Sequence, residues 1–322
     1  MSALAFQALR LLADGRFRSG EAIARGLGRS RAALNEALKV APQLGVDLFR
    51  VRGKGYRLAS PIEFLDAQAI VAALGPAAAR VRLVLLDEID STSTRLAVLA
   101  AGGAATGTCV AVEWQRAGRG RRGRAWQSGL GSGLAFSLLW RFERGAGHLA
   151  GLSLAVAVAL ARALEQAGVA HVGVKWPNDL VVGNGKLAGI LVETSGDMLG
   201  PTAAIIGVGV NYRLPETLLA RIDRPAADVA GACTTLPSRN GLLGAMVREL
   251  VAELDGFEHE GFRASRDAWR ARHAYAGKRV RVQSANEEAY DAEVVDIAED
   301  GALLVAAGGR TLRLTSAEVS VR

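Results

Sequence analysis

The stretch Glu113–Trp126, EWQRAGRGRRGRAW, follows directly on the apolar run 107–112 and contains five arginines and three glycines. Glycine removes the steric restriction that a Cβ imposes on the backbone, so this segment can bend freely and approach a ligand closely. Each arginine carries a planar, permanently charged fork that fits carboxylates and phosphates. At the end of a predicted strand, this combination indicates a loop that closes over an anionic group. For an isolated Arg/Gly run, a solvated basic loop or a nucleic-acid-binding tail is the alternative.

Length and composition predict a globular protein of two or three domains. The chain has 322 residues, of which 50% are apolar and 22% are charged, which excludes a disordered class. The two cysteines are far apart and the four histidines lack ligand spacing, so neither a disulfide framework nor a protein-held metal site is predicted. The longest uncharged apolar stretch, 149–161, is too short to span a bilayer. We therefore expect a cytoplasmic protein without a membrane partner.

The positive charge of the chain is concentrated at its N-terminal end. Residues 1–60 contain eleven Lys/Arg and four Asp/Glu, a net charge of +7, and the whole chain also carries +7. The remaining residues therefore balance, with 28 cationic and 28 anionic side chains. Such an asymmetry predicts a small nucleic-acid-binding module attached to a neutral body.

The pattern within this basic segment predicts a helix-turn-helix followed by a hairpin. Helical spacing of apolar residues covers 3–12, 20–27 and 30–39, and two predicted strands, 46–51 and 56–58, flank the basic turn 52–55. The third helix would be the recognition helix and the hairpin a wing. The predicted DNA contacts are Ser30, Arg31, Asn35, Lys39, Arg52 and Lys54. A small helical domain with a surface hairpin and no DNA partner is the alternative, and it is favoured by Glu36, which phosphate would repel.

Beyond a predicted helix over 61–74, polar residues recur at the ends of apolar strands. Strand 81–86 leads to Ser91–Thr94 and a helix over 94–101. Strand 133–140 and a long helix over 148–168 precede a strand that ends in Lys175, Asn178 and Asp179. A glycine-rich hairpin then presents Lys186, and strand 203–210 ends at Asn211. Singly, each is more simply a surface turn or, for Ser91–Thr94, a helix cap. As a group, they indicate the rim of a ligand site.

Taken together, these motifs resemble those of the bifunctional biotin–protein ligases that also repress the biotin operon. The resemblance is carried by residues 20–58, GRGRRGR (118–124), KWPNDL (175–180), GKLAGILVE (185–193) and GVGVN (207–211), in this order. It implies an α+β multidomain fold with a winged helix-turn-helix over 1–62, a class II aminoacyl-tRNA synthetase-like α/β catalytic domain over 63–273 and an SH3-like β-barrel over 274–322. Short alternating strands in the last region are also predicted directly, at 279–282, 292–297, 303–305 and 311–314.

The resemblance implies a reaction in two steps. The biotin carboxylate attacks the α-phosphate of ATP, supplied with Mg²⁺, and a lysine of a biotin carboxyl carrier protein then attacks the resulting biotinyl-5′-AMP. The implied biotin-binding residues are Ser91, Thr92, Ser93, Gln115, Arg119, Gly120, Arg121, Lys186 and Gly189. The implied ATP-binding residues are Arg119, Arg121, Trp126, Lys175, Asn178 and Asn211. The implied catalytic residues are Arg121, Lys186, Lys175 and Asp179, the last as the proton acceptor for the carrier lysine.

Two departures from the family pattern leave parts of this interpretation open. Ser93 stands where many members have asparagine, and Glu36 and Ala37 stand where a more basic pair is expected in the recognition helix. Besides a bifunctional ligase and repressor, the chain can therefore be a ligase without regulatory DNA binding, or a biotin-binding regulator without catalysis. Lipoate–protein ligases share the central fold but are not expected to carry the helix-turn-helix or GRGRRGR. The implied partners include operator DNA of biotin synthesis genes, the carrier protein of acetyl-CoA carboxylase and, when the adenylate is bound, a second copy of the chain.

Overall fold

The structure is a computed structural model that describes residues 3–196, 199–283 and 288–321. The first two residues of the predicted N-terminal domain, and residues 284–287 and 322 of the predicted C-terminal domain, lie outside the described residues.

Three short helices and a two-stranded hairpin form the N-terminal unit. They are α1 (Ala3–Leu11), α2 (Gly20–Gly26), α3 (Arg31–Leu38), β1 (Leu48–Val51) and β2 (Gly55–Leu58). The hydroxyls of Ser19 and Ser30 accept hydrogen bonds from backbone amides of α2 and α3 and so cap these helices. The first strand begins two residues later than predicted, because the Val46 amide donates to the carbonyl of Ala41 and Val46 is buried in the helical core.

A seven-stranded sheet forms the centre of the molecule. Its strands are β3 (Arg82–Ile89), β4 (Thr108–Gln115), β5 (Gly133–Phe142), β6 (Val172–Lys175), β7 (Asp179–Val182), β8 (Gly185–Gly196) and β9 (Thr202–Asn211). Their order is β3-β4-β5-β9-β8-β7-β6. β3 and β4 run parallel, and the other neighbours are antiparallel. Each predicted strand of this region is confirmed, and β3, β4 and β5 extend two or three residues beyond their predicted ends.

Helices cover both faces of the central sheet. They are α4 (Ala67–Leu74), α5 (Thr92–Ala101), α6 (Leu152–Gln166), α7 (Glu216–Leu219), α8 (Val229–Ala232), α9 (Arg239–Glu260) and α10 (Arg266–Arg270). α4, α6 and α9 share the large core on one face, and α5 packs on the other. Eleven of the 15 residues of α6 are buried, which explains its nearly continuous apolar sequence. Among the helices of the described ranges, none combines the length and apolarity needed to cross a membrane.

Three predicted helix boundaries are wrong, each for a local reason. α4 begins at Ala67 rather than near residue 61. Residues 61–66 are not helical, and the side chain of Asp66 caps the first turn of the helix. α5 begins two residues early, at Thr92, because the Ser91 hydroxyl caps it. α6 begins at Leu152, after a short 3₁₀ turn over 146–149 and Gly151 at φ +78°.

The alternation of β9 explains where open space arises on the α5 face. Ala203 and Ile205 point to that face and pack with Leu96 of α5. Positions 207, 209 and 211 share the same face because side chains alternate along a strand. Glycines stand at 207 and 209, so the sheet surface beyond the start of α5 carries almost no side-chain volume. This surface becomes the floor of the site.

The C-terminal residues form a separate five-stranded antiparallel sheet in the order β13-β12-β11-β10-β14. Its strands are β10 (Arg279–Gln283), β11 (Tyr290–Ile297), β12 (Leu303–Ala307), β13 (Arg310–Leu314) and β14 (Glu318–Val321). The four predicted strands are confirmed, and β14 is an addition to them. The sheet is joined to the body by Trp176, whose indole Nε1 donates to the carbonyl of Gly301 at 3.0 Å.

Candidate active site

A cavity of about 1080 Å³ lies on the α5 face of the central sheet, between the arginine loop 116–125, the β7–β8 hairpin and the C-terminal sheet. All fourteen residues assigned to biotin, ATP or catalysis from the sequence line this one cavity. They are Ser91, Thr92, Ser93, Gln115, Arg119, Gly120, Arg121, Trp126, Lys175, Asn178, Asp179, Lys186, Gly189 and Asn211. The structure therefore brings them together, while their individual ligand roles stay predictions.

Buried hydroxyl and amide groups form one wall of the cavity. Gln115 Oε1 accepts hydrogen bonds from the backbone N of Thr92 at 2.9 Å and from its hydroxyl at 3.2 Å. The Ser137 hydroxyl donates to Thr92 Oγ1 at 2.8 Å and lies 3.0 Å from Ser93 Oγ. Because all four side chains are buried, the network holds its polar atoms in fixed directions. Such a preorganised polar wall can match the hydrogen-bonding groups of a ligand selectively.

Cationic groups also line the cavity. Lys186 Nζ lies 2.7 Å from Asp179 Oδ1, and the two side chains are only 24% and 17% exposed. Arg121 Nη1 donates to Asn178 Oδ1 at 3.1 Å. Burial lowers the pKa of the Arg121 guanidinium below its usual value, and the positive charge of Arg122 acts in the same direction. Arginine still stays protonated, so a bound anion would stabilise this poorly hydrated charge.

Ion pairs fasten the arginine loop to β8 and β14. Arg119 Nη2 lies 2.7 Å from Glu193 Oε2 on β8. Arg122 lies 3.6 Å from Glu318 Oε1 on β14, and Arg124 pairs with the same carboxylate. Arg119 is therefore already paired with Glu193, and its guanidinium group would have to leave this carboxylate before it could bind a ligand.

Trp126 covers the glycine floor of the cavity. A Cβ at Gly209 would lie 2.4 Å from Trp126 Cε2, and a Cβ at Gly189 would lie 3.1 Å from its Cζ3. Lys186 Nζ lies 5.6 Å from the centre of the indole ring, within the range of a cation–π contact. The indole thus lies against β8 and β9 beside the lysine, where it offers an aromatic surface for stacking.

Asn211 and Lys175 are already engaged by the protein. Asn211 Nδ2 donates to the carbonyls of Lys186 and Ala227, both at 3.0 Å. Both amide hydrogens are therefore used, and Oδ1 is the atom of Asn211 that remains for a ligand. Lys175 Nζ lies 5.3 Å from the ring centre of Tyr275, so Tyr275 holds this ammonium group at the rim of the cavity.

Several lining residues were not predicted from the sequence. Gly207 and Gly209 form the floor, residues 221–226 form a side wall, and Tyr275 and residues 317–321 enter from the C-terminal region. The alternating glycines of GVGVN are a local signal that points to an open strand face. Residues 221–226 carry no such signal, because their position depends on pairing with β8, where Lys186 N donates to the carbonyl of Pro225 at 2.9 Å.

The six predicted DNA-contact residues lie on α3 and on the hairpin turn. They are Ser30, Arg31, Asn35 and Lys39 along α3, and Arg52 and Lys54 at the turn, and all but the half-buried Asn35 are exposed. Lys39 Nζ lies 2.6 Å from Glu36 Oε2, so part of the charge on α3 is neutralised within the helix.

Asn35 connects α3 to the hairpin. Its Oδ1 accepts hydrogen bonds from Arg50 Nη1 at 2.8 Å and from the Tyr56 hydroxyl at 3.2 Å. An arginine can only donate, so the atom facing it must be the oxygen. The acceptor of Asn35 is thus occupied, and it is not free for the bidentate contact that asparagine makes with adenine.

No group of three or more His, Cys, Asp or Glu residues in the described part of the chain is placed to hold a metal ion. Both cysteines are free thiols, and burial raises the pKa of Cys109 to about 12. Cys109 is therefore protonated at neutral pH and takes the role of a small buried side chain.

Comparison with known proteins identifies the family. Residues 85–211 match the biotin/lipoate A/B protein ligase family, and residues 275–322 match the biotin protein ligase C-terminal domain. The chain is 36% identical to the bifunctional ligase/repressor BirA of Escherichia coli (strain K12), over 98% of this chain and 96% of that protein. It is 34% identical to the biotin–[acetyl-CoA-carboxylase] ligase of Paracoccus denitrificans, over 73% of this chain and 98% of that protein.

A solved structure shows the same fold. The biotin protein ligase from Aquifex aeolicus in complex with biotin and ATP matches with a TM-score of 0.63 and 26% identity, over 75% of this chain and 98% of that one. Together with the cavity and the near full-length similarity to a ligase/repressor, this match identifies the chain as a member of the BirA family of bifunctional biotin–protein ligases and repressors.

Proposed function

We propose that the protein joins biotin to a lysine of the biotin carboxyl carrier protein of acetyl-CoA carboxylase, at the expense of ATP. The observation that carries this proposal is the composition of the cavity, where a hydrogen-bonded set of hydroxyl and amide groups lines the same space as Arg121 and Lys186. The first would bind the ureido ring of biotin and the second its carboxylate together with the phosphates of ATP. The biotin- and ATP-bound relative from Aquifex aeolicus supports the choice of ligands.

The first step requires two anions to meet. A carboxylate oxygen of biotin attacks the α-phosphorus of ATP, a new C–O–P linkage forms, the bond to the β-phosphate oxygen breaks, and pyrophosphate leaves. Arg121 and Lys186 would reduce the repulsion between these anions and hold them in line. The magnesium ion enters as part of the MgATP substrate. The described side chains offer no acidic cluster for it, and phosphate oxygens are its main ligands in such sites.

The second step transfers biotin to the carrier lysine. The amine attacks the acyl carbon, an amide bond forms, and the bond to the AMP oxygen breaks. A protonated amine cannot attack, so a nearby carboxylate helps by accepting the proton. Asp179 is our candidate for this role. Its partner Lys186 lies 2.7 Å away, and a shift of Lys186 toward the phosphate would free Asp179 for the incoming lysine.

We expect the purified protein to exchange labelled pyrophosphate into ATP when biotin is present, and not in its absence. The exchange reports the reversible first step alone, so it needs no carrier protein. Biotin binding without any exchange would contradict the ligase proposal and favour a biotin-binding regulator without catalysis.

We also propose that the N-terminal unit is a winged helix-turn-helix that binds the operator of biotin synthesis genes, and that the adenylate promotes a homodimer for this purpose. The exposed cations of α3 and the hairpin turn, together with the net charge of residues 1–60, support DNA binding. A ligase without regulatory DNA binding is the second candidate, and the Glu36–Lys39 ion pair at 2.6 Å favours it because it removes charge from the recognition helix.

For the repressor, we expect a gel shift with DNA from upstream of biotin synthesis genes that strengthens when biotinyl-5′-AMP is added. Raising salt from 50 to 200 mM should lower the affinity by roughly 10³ or more, as for proteins with six to ten phosphate contacts. The double variant Arg52→Ala/Lys54→Ala should bind more weakly, while Arg263→Ala, an exposed cation far from α3 in sequence, should bind normally. A wild-type affinity that hardly responds to salt or to the adenylate would instead support the second candidate.

A further inference from the structure

The turn 129–132, which we call the Leu130 turn, joins Trp126 to strand β5 and is built into the N-terminal helical unit. Leu130 is only 3% exposed and belongs to the core formed by the three N-terminal helices and the hairpin. Its backbone N donates to the carbonyl of Leu44 at 2.8 Å. A segment of the catalytic body thus completes the core of the N-terminal unit.

Two glycines mark close contacts between the Leu130 turn and the N-terminal unit. Gly45, at φ +71°, lies close to the turn, since a Cβ there would lie 3.3 Å from the Cα of Gly129. A Cβ at Gly131, at φ +74°, would lie 2.6 Å from Cγ2 of Ile62. Both φ angles disfavour residues with a side chain. Glycine therefore suits both positions, Gly45 in the N-terminal unit and Gly131 in the Leu130 turn.

The Leu130 turn is also connected to the cavity at two points. Trp126, which covers the glycine floor, precedes Leu130 by four residues. The carbonyl of Ser132 accepts hydrogen bonds from the amides of Tyr212 and Arg213, at 2.9 and 3.0 Å. These two residues directly follow Asn211 at the end of β9. A displacement of the turn would therefore reach Trp126 and Asn211, which we assign to ATP binding.

We infer that Leu130 is a positioning residue for ATP: by filling the N-terminal core, it holds Trp126 and Asn211 in place for the nucleotide. This inference rests on the proposed ligase function. The polar wall assigned to biotin is held by its own hydrogen bonds, because Thr92, Gln115 and Ser137 bond to one another. Trp114 also packs against the N-terminal core. It lies within β4, however, and the pairing of β4 with β3 and β5 holds this strand in place whether or not the core is filled.

The test measures the KM for ATP, the KM for biotin and kcat in biotin-dependent pyrophosphate exchange. Leu130→Ala should raise the KM for ATP by roughly tenfold, as expected when a binding group is misplaced by a fraction of an ångström. The KM for biotin should change less than about twofold, because the polar wall keeps its own hydrogen bonds. Leu130→Met, which keeps the side-chain volume, should restore the KM for ATP close to that of the wild type.

Leu34→Ala is the matched control, since Leu34 is a leucine of the same core, 1% exposed, in α3. It creates a cavity in the same core but leaves the residues of the Leu130 turn unchanged, so its KM for ATP should stay at the wild-type value. Equal effects of the two alanine variants, or equal changes of both KM values in Leu130→Ala, would overturn the inference. Should Leu130→Ala not fold, the pair Leu130→Val and Leu34→Val applies the same comparison. A wild-type protein without exchange would refute the ligase proposal instead, so the two failures are distinct.

Discussion

Replacing Lys186 by alanine should lower the rate of biotin adenylation by roughly 10²–10³, the usual effect of removing one positioned charge-stabilising group. Lys186 Nζ lies beside Asp179 and over the Trp126 ring, and three-quarters of its side chain is buried. A charge held in so little water interacts strongly with a developing anion. Single-turnover formation of biotinyl-5′-AMP is the measurement, because it separates the chemical step from product release.

Lys278→Ala is the matched control for this prediction. Lys278 is exposed and contacts Tyr275 from outside the cavity, with its Nζ 5.7 Å from the ring centre. Its removal should leave the adenylation rate nearly unchanged. A wild-type rate in Lys186→Ala would mean that the charged end of the cavity is wrongly assigned.

Replacing Arg121 by glycine should weaken retention of biotinyl-5′-AMP, so that the adenylate diffuses away and reacts with stray lysines. Arg121 is the loop arginine that donates to Asn178 at 3.1 Å, and burial lowers the pKa of its guanidinium. Loss of one charge-assisted hydrogen bond weakens binding by about 1.5–3 kcal/mol, or roughly ten- to a hundredfold. The measurement is biotin transfer to an unrelated protein, such as serum albumin, in the presence of ATP and biotin.

Arg116→Gly makes the same chemical change outside the cavity. Arg116 lies in the same loop but pairs with Glu88 and Asp90, at 2.8 and 2.7 Å. This variant should modify serum albumin no more than the wild type does. Should Arg121→Gly also modify its carrier protein alone, the arginine loop is not the element that retains the adenylate.

The strands and the polar residues at their ends were predictable because their signals are local. Apolar runs bounded by Gly, Pro or polar residues defined each strand of the central sheet. In addition, residues placed at strand ends, such as Asn178, Lys186 and Asn211, meet in one cavity. Strand ends gather at a common edge of a sheet, so a pattern of polar residues after apolar runs carries three-dimensional information.

Other features depended on contacts between distant residues. The helix α9 over Arg239–Glu260 has a mixed composition that local periodicity does not single out, and tertiary packing stabilises it. Arg239 at its start is 1% exposed and pairs with the fully buried Glu113 at 3.1 Å. The start of α4 was wrong for a related reason, since Glu63 accepts hydrogen bonds from Ser238, Arg239 and Asn240, which keep the preceding segment non-helical.

By itself, the sequence determined the order of the predicted elements, the location of the excess positive charge and, through the family resemblance, fourteen of the residues that line the cavity. Tertiary structure alone decided the partners of those residues: Glu193 for Arg119, Glu318 for Arg122 and Arg124, and the N-terminal core for Leu130. The physical reason is that helix and strand patterns arise from neighbours along the chain. Ion pairs and core packing, in contrast, join residues that only the folded chain brings within a few ångströms, and no local periodicity records them.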